Sequence, residues 1–403
     1  MQLEEIARLS RAADSKMVLL VLDGLGGLPA AAPGGPTELE AAATPHLDAL
    51  AARSLCGLQV PVGAGITPGS GPGHLALFGY DPWRYQVGRG VLSALGIDFD
   101  LQPGDVAARG NFCTVDADGR VADRRAGRIA TELNQELCEQ LRGIDIGPVE
   151  LFVETVEGHR FLLVLRGEGL SAGVEDTDPQ EVGVAPRPVR AGDPRAEERT
   201  RPAVERFVSG ARKRLGDRET ANMVLLRGFA QRPDWPTLPD LFGLRSLAIA
   251  AYPMYRGVAR LVGMEAINAG KSLAAELDAL RRRWDDHDFF FVHVKPTDSA
   301  GEDGDFERKA RVIGEVDALL PELLALGPDV LLVTGDHSTP AAMGRHSWHP
   351  VPVMLWSEHC RADRVDRFDE RSCMTGGLGA RLPASELLPI ALANAGRLGK
   401  FGA

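Results

Sequence analysis

Three aspartates stand beyond short apolar runs. Asp23 follows Met17-Val18-Leu19-Leu20-Val21-Leu22, Asp298 follows Phe289-Phe290-Phe291-Val292-His293-Val294, and Asp336, next to His337, follows Val330-Leu331-Leu332-Val333. One aspartate at a strand end is most often a turn or a helix cap. Three at equivalent ends of one sheet would converge, and unpaired carboxylates that converge repel unless a divalent cation neutralises them. Metal-assisted chemistry is the expectation. Further donors stand nearby: three of the nine histidines are His337, His346 and His349. Asp298 and Glu302 are four apart, which brings both carboxylates to one side of a helical turn. That pair also suits an acidic, solvated helix start. There is no HExxH pair, and EF-hand spacing is not met, which sets aside a zincin and a calcium loop of that type.

A nucleophile is offered by Gly65-Ile66-Thr67-Pro68-Gly69-Ser70-Gly71-Pro72-Gly73-His74-Leu75. The apolar residues after His74 imply a helix starting just after Ser70, and a hydroxyl at a helix amino end lies in a field that favours alkoxide and phosphate. An ordinary cap in a Gly/Pro loop is the competing reading. Pro68 and Pro72 exclude the G-x-S-x-G elbow. Pro29 ends the run from Gly24 where a dinucleotide fingerprint needs glycine, and no Walker loop is present. Cations come as Arg109-Gly110-Asn111-Phe112 and Asp123-Arg124-Arg125-Ala126-Gly127-Arg128. Arginine grips carboxylate and phosphate oxygens with two parallel bonds. Taken alone, that segment reads more readily as a solvated surface run.

The elements that must position these residues are strands buried on both faces, since the apolar runs are continuous rather than alternating. Helices follow them: Thr44-Pro45 starts one, and Phe306, Ala310, Ile313, Val316 and Leu320 mark another from about Asp305. Strands alternating with helices imply an open α/β sheet, with ligands beyond the carboxyl ends of its strands. Residues 104–220 differ. They carry strand-like pieces (Leu151–Glu154, Phe161–Leu165) and a Pro-, Arg- and acid-rich segment, Glu175 to Arg201, that reads as an exposed loop. The expected layout is a metal-binding domain from 1–103 and 221–403, interrupted by an inserted α+β substrate-binding or cap domain at 104–220.

The 403 residues suffice for two or three cores. A net charge of −11 argues against a nucleic-acid binder. No apolar stretch reaches the roughly 18–20 residues that span a bilayer. Five scattered cysteines without a CxxC pair point to a reducing cytoplasm.

In order, the chain carries Asp-Gly after the first strand, Thr-Pro-His-Leu-Asp, Gly-Ser-x-x-Gly-His-Leu, Gly-Asn-Phe and Asp-Arg-Arg-Ala-Gly-Arg. Asp-Thr-Asp-Pro, Tyr-Pro-Met-Tyr-Arg-Gly, Thr-Asp-x-x-Gly-x-Asp-Gly-Asp, Asp-His-Ser-Thr-Pro and His-Ser-x-x-Pro-Val-Pro follow. From about Lys16 to Ala393 this resembles the archaeal-type cofactor-independent phosphoglycerate mutase family of the alkaline phosphatase superfamily. The resemblance implies an alkaline-phosphatase-like, mostly parallel sheet flanked by helices. It also implies two divalent ions, manganese first, with magnesium, cobalt or zinc as alternatives. Ser70 would be phosphorylated and share one ion with Asp23, Asp336 and His337, while Asp298, Glu302 and His346 hold the other. The wider superfamily has histidine where Glu302 stands, and carboxylate suits manganese or magnesium. The implied reaction interconverts 3- and 2-phosphoglycerate without 2,3-bisphosphoglycerate, with Arg109, Asp123, Arg124, Arg128 and Arg256 holding a small phosphorylated carboxylate.

Closure of the insert would exclude water, which otherwise turns a mutase into a phosphatase. A phosphatase or phosphodiesterase on the same metals, a homoserine-kinase-like phosphotransferase, and a non-catalytic metal- or phospholigand-binding protein are the other readings. Oligomeric state, and roles for His74 and His349, stay open.

Overall fold

The computed structural model describes residues 3–30, 34–270 and 272–402. The chain separates into two compact units, one from Met1–Gln86 with Pro236–Ala403 and the other from Val87–Trp235.

In chain order the strands are β1 (Met17–Leu22), β2 (Leu55–Val60), β3 (Val106–Val115), β4 (Val121–Asp123), β5 (Glu150–Glu157), β6 (Arg160–Arg166) and β7 (Met223–Ala230). They continue with β8 (Ser246–Ala250), β9 (Glu265–Ile267), β10 (Phe289–Val294), β11 (Val330–Thr334), β12 (Val351–Ser357) and β13 (Gly379–Pro383). The first unit holds an eight-stranded sheet ordered β13-β2-β12-β11-β1-β10-β8-β9. Only β12 runs against its neighbours, so the sheet is mixed but mostly parallel. The three apolar runs read from the sequence are its centre: β1 pairs in parallel with β10 on one side and β11 on the other. Every residue of the three is buried, which is why the runs show no alternation.

Helices cover this sheet. Phe306–Leu324 starts on an Asp305 side chain that accepts from the Arg308 amide, and it buries Ile313, Val316 and Leu320. Truncating Ile313 to alanine would cost about 2–5 kcal/mol. Beside it, Leu273–Arg282 turns Glu276 inward among leucines and valines. Among the described residues no helix is long and apolar enough to cross a membrane.

The second unit is built on an antiparallel sheet of β4-β3-β6-β5, with β7 also on β3. Leu137, Cys138 and Leu141 of helix Thr131–Arg142 and Val204, Phe207 and Ala211 of helix Thr200–Leu215 complete its core. This unit is wider than the expected insert at 104–220. Helix Arg89–Gly96 packs on β3 and β7 and so belongs with them. A Cβ on Gly90 would lie 2.1 Å from the Ala107 carbonyl, so helix and strand meet backbone to backbone. Most of the segment Glu175 to Arg201 is exposed, as expected of it, but a stretch near its start is not. Thr177 and Asp178 are buried, because Asp178 takes Arg124 and Arg227 as ion partners and Thr177 bonds to Leu226.

Candidate active site

Parallel strands that share a register deliver their following residues to one edge, and in the first unit that edge gathers the acids. Asp23 leaves β1, Asp336-His337 leave β11, and Asp298 sits on the short helix Pro296–Glu302 after β10. Asp23, Asp336 and His337 are fully buried, and Asp298 is nearly so. Two groups of three ligand atoms form, Asp23 with Asp336 and His337, and Asp298 with His337 and His346. His337 belongs to both, and its ring stacks on that of His346 with centroids 3.6 Å apart.

The hydrogen bonds decide what the imidazoles present. His346 Nδ1 donates to the Pro68 carbonyl at 3.0 Å, which leaves the Nε2 lone pair 3.6 Å from Asp298 Oδ1. The Thr339 hydroxyl donates to Asp298 Oδ1 at 2.7 Å and so accepts from His337 Nδ1 at 2.9 Å. His337 Nε2 then also carries a lone pair, 3.3 Å from Asp23 Oδ1 and 3.2 Å from Asp336 Oδ2. Among the described residues both carboxylate oxygens are buried and without a hydrogen-bond donor. His74 Nδ1, 3.2 Å from Asp336 Oδ2, directs its hydrogen to the Ser70 carbonyl at 2.8 Å instead. Buried acceptors that converge with no donor among them fit a cation, and a mixed carboxylate–imidazole set fits a divalent one.

Electrostatics agree. Burial disfavours charge on Asp23, but Lys295, His293 and His337 outweigh it and hold the carboxyl well below its ordinary range. Burial pushes His337 down, so it is neutral at pH 7 as a ligand must be. For His74 burial is outweighed by Asp336, and its pKa rises.

Ser70 opens helix Ser70–Leu77, with its Oγ 3.3 Å from His337 Nε2. The nucleophile expected from the Gly/Pro loop thus stands at the first ligand group. Gly24 follows Asp23 for a steric reason: its φ is +66°, and a Cβ there would lie 2.5 Å from Thr339 Oγ1. Glu302 is less integrated. Its side chain is more than half exposed, with Oε1 3.9 Å from His346 Nε2, outside both groups.

Arg256 belongs to the first unit and spends one guanidinium nitrogen on the carbonyls of Ala250 and Ala251. The other substrate candidates are in the second unit. Asp123 accepts from the amides of Arg125 and Gly127, shaping the turn that presents Arg124 and an exposed Arg128. Arg124 binds Asp178 through two nitrogens, at 3.1 and 2.7 Å. Arg109 lies on β3, half-buried.

Sequence reasoning passed over Lys295, His293, Tyr255 and Thr339. Lys295 Nζ lies 3.0 Å from Asp23 Oδ2 and 2.5 Å from Asp298 Oδ2. Burial works against its charge, but Asp23, Tyr255 and Asp298 raise its pKa well above the ordinary value. The Tyr255 hydroxyl donates to Asp23 Oδ2. His293 stacks on the Tyr255 ring, with Nε2 3.3 Å from Asp23 Oδ2. Two signals were available: a histidine inside the apolar run Phe289–Val294, and one of only six lysines directly after it.

A family model described as 2,3-bisphosphoglycerate-independent phosphoglycerate mutase matches residues 51–221. A Thermus thermophilus protein named as a probable enzyme of that kind is 52% identical, covering 99% of this chain and 98% of its own. An Aquifex aeolicus protein of the same name is 47% identical over the whole of both chains. Among solved structures, a Pyrococcus horikoshii protein is 29% identical with a TM-score of 0.84, covering 97% of this chain and all of its own. The cofactor-independent phosphoglycerate mutase of Thermoplasma acidophilum is 30% identical with a TM-score of 0.68, covering 94% and 100%.

Proposed function

The chain belongs to the 2,3-bisphosphoglycerate-independent phosphoglycerate mutase family, isomerases of 3- and 2-phosphoglycerate, and from that premise we propose that it works through a phosphoserine on Ser70 at a two-metal site. The supporting observation is the pair of donorless buried oxygens, Asp23 Oδ1 and Asp336 Oδ2, facing His337 Nε2 beside Ser70 Oγ. Asp23, Asp336, His337 and Ser70 would hold one divalent ion. Asp298 and His346 would hold the other, with Glu302 as the nearby carboxylate able to complete it. Manganese or magnesium suits such oxygen-rich sets. When bound, the ions lower the pKa of the serine hydroxyl and neutralise phosphoryl oxygens.

Ser70 Oγ attacks phosphorus in line while the bond to the substrate oxygen breaks, the serine proton ending on that departing oxygen, and the return step reverses the transfer. The glycerate stays bound, re-orients and takes the phosphoryl group back on its other oxygen as the phosphorus–Oγ bond breaks. Helix Ser70–Leu77 favours the anion on its first residue. Lys295 bridges Asp23 and Asp298, and its charge helps to keep Asp23 ionised. Arg109, Arg124, Arg128 and Arg256 are assigned the substrate's carboxylate and phosphate, with Asp123 shaping the turn of Arg124 and Arg128. All five cysteines are free, which supports a cytoplasmic location.

The test supplies purified protein with 3-phosphoglycerate and manganese, coupled to enolase, without 2,3-bisphosphoglycerate. Turnover is expected, falling on the order of 10³-fold or more in Ser70→Ala. Activity that survives Ser70→Ala removes the phosphoserine, and steady release of inorganic phosphate marks a phosphatase instead.

A further inference from the structure

Thr339 carries no obvious chemistry, yet its hydroxyl stands between the two ligand groups. A hydroxyl has one hydrogen. Here it goes to Asp298 Oδ1 at 2.7 Å, so the oxygen accepts the Nδ1 hydrogen of His337 at 2.9 Å. That fixes the tautomer. The other tautomer has its own attraction, because an Nε2 hydrogen would point at Asp23 Oδ1 and Asp336 Oδ2, 3.3 and 3.2 Å away and short of donors. An imidazole in that form would satisfy both carboxylates itself and present no lone pair.

Thr339 is in turn held from beneath. Lys309, fully buried on helix Phe306–Leu324, donates to the Gly26 carbonyl at 3.0 Å and the Thr339 carbonyl at 2.9 Å. Glu38 spans the same two loops with opposite polarity, accepting from the Leu28 amide at 3.1 Å and the Ala341 amide at 2.6 Å. Its Oε1 is 3.8 Å from Lys309 Nζ. One buried ion pair therefore ties the loop after β1 to the loop after β11 through four backbone groups.

We propose that Thr339 is a positioning residue that keeps His337 in the metal-binding tautomer and Asp298 in its ligating orientation, braced by the Lys309–Glu38 pair. This rests on the two-metal reading above. The residue acts through His337 and Asp298, the two side chains its hydroxyl bonds.

The experiment measures manganese binding by equilibrium dialysis and the ring-nitrogen NMR shifts of His337 in metal-free protein. Thr339→Val keeps the shape and removes the hydroxyl. It is expected to bind manganese about 10–100-fold more weakly, as loss of a ligand's hydrogen-bond partner typically does. Its His337 is expected to move its hydrogen from Nδ1 to Nε2. Thr339→Ser restores the hydroxyl and is expected to bind within about threefold of the unsubstituted protein. Unchanged affinity with the hydrogen still on Nδ1 in Thr339→Val overturns the proposal. Should that variant not fold, Thr339→Ala takes its place in both measurements, and the same pair of unchanged values overturns the proposal there too. Asp336→Asn separates the levels: if it weakens manganese binding while Thr339→Val does not, only the role of Thr339 fails. If neither variant alters binding, the metal reading fails with it.

Discussion

Glu276 is 4% exposed, its Oε2 has no partner among the described residues, and it lines a cavity of about 40 Å³ with Leu20, Leu277, Leu280, Val292, Val316 and Leu320. Among the described residues no other ionisable side chain lines that cavity. Burial alone pushes the carboxyl from its ordinary 4.5 up to about 8. Between those values the folded chain keeps a proton that the unfolded chain has lost. Stability from this group is therefore fully present below pH 4.5 and lost as pH rises through 8, at about 1.4 kcal/mol per unit. At pH 7 the loss is about 3 kcal/mol. Glu276→Gln keeps the shape without the titration. The stability of the variant relative to the parent should rise by about 3 kcal/mol between pH 4.5 and 7 and level off above pH 8. Urea unfolding followed by tryptophan fluorescence reads this, since Trp284 stacks on Phe290 in the same unit. A difference that stays flat from pH 5 to 8 refutes the reasoning.

Two further outcomes follow from close contacts. In Gly73→Ala the new Cβ would lie 2.4 Å from the Asp336 carbonyl oxygen, which is backbone and cannot swing aside. Helix Ser70–Leu77 and Asp336 must part, and manganese affinity should fall by about tenfold or more in equilibrium dialysis. Asp178→Ala leaves Arg124 and Arg227 without their shared partner, at a cost of about 2–4 kcal/mol after allowing for the partial exposure of Arg124. Burial raises the Asp178 carboxyl, but Arg124, the Gln180 amide and Arg227 outweigh it and the pKa falls. The stabilisation is thus present above about pH 4 and lost below it. Urea melts should show a smaller penalty for the variant at pH 3 than at pH 7.

The positions of Asp23, Asp298 and Asp336 were legible because continuous apolar runs define parallel strands, and such strands end at one edge. Ser70 was legible from its glycines and the apolar helix behind it. The pairing of ligands was not. Which oxygen lacks a donor depends on where Pro68, Thr339 and Gly24 lie, and they approach from three separate loops. Lys295 escaped notice because a lone lysine beside a strand reads as a solvated end. Glu175 to Arg201 reads as exposed because its composition is polar, and most of it is, but a polar composition does not show that Asp178 is inside with two arginines from β7 and the turn after β4.

The position of β1 in its sheet also sets a clock. Its six apolar residues are complete at Leu22, but their hydrogen-bond partners lie on β10 and β11, the nearer ending at Val294. About 270 residues must be made in between, which at roughly 5–20 residues per second occupies a ribosome for about 14–54 s. The second unit lies wholly within that interval. During synthesis the strand that will carry Asp23 is therefore an unpaired hydrophobic edge, a site for holding chaperones or for aggregation. A variant that slows translation between residues 22 and 294 should lower soluble yield without changing the finished enzyme.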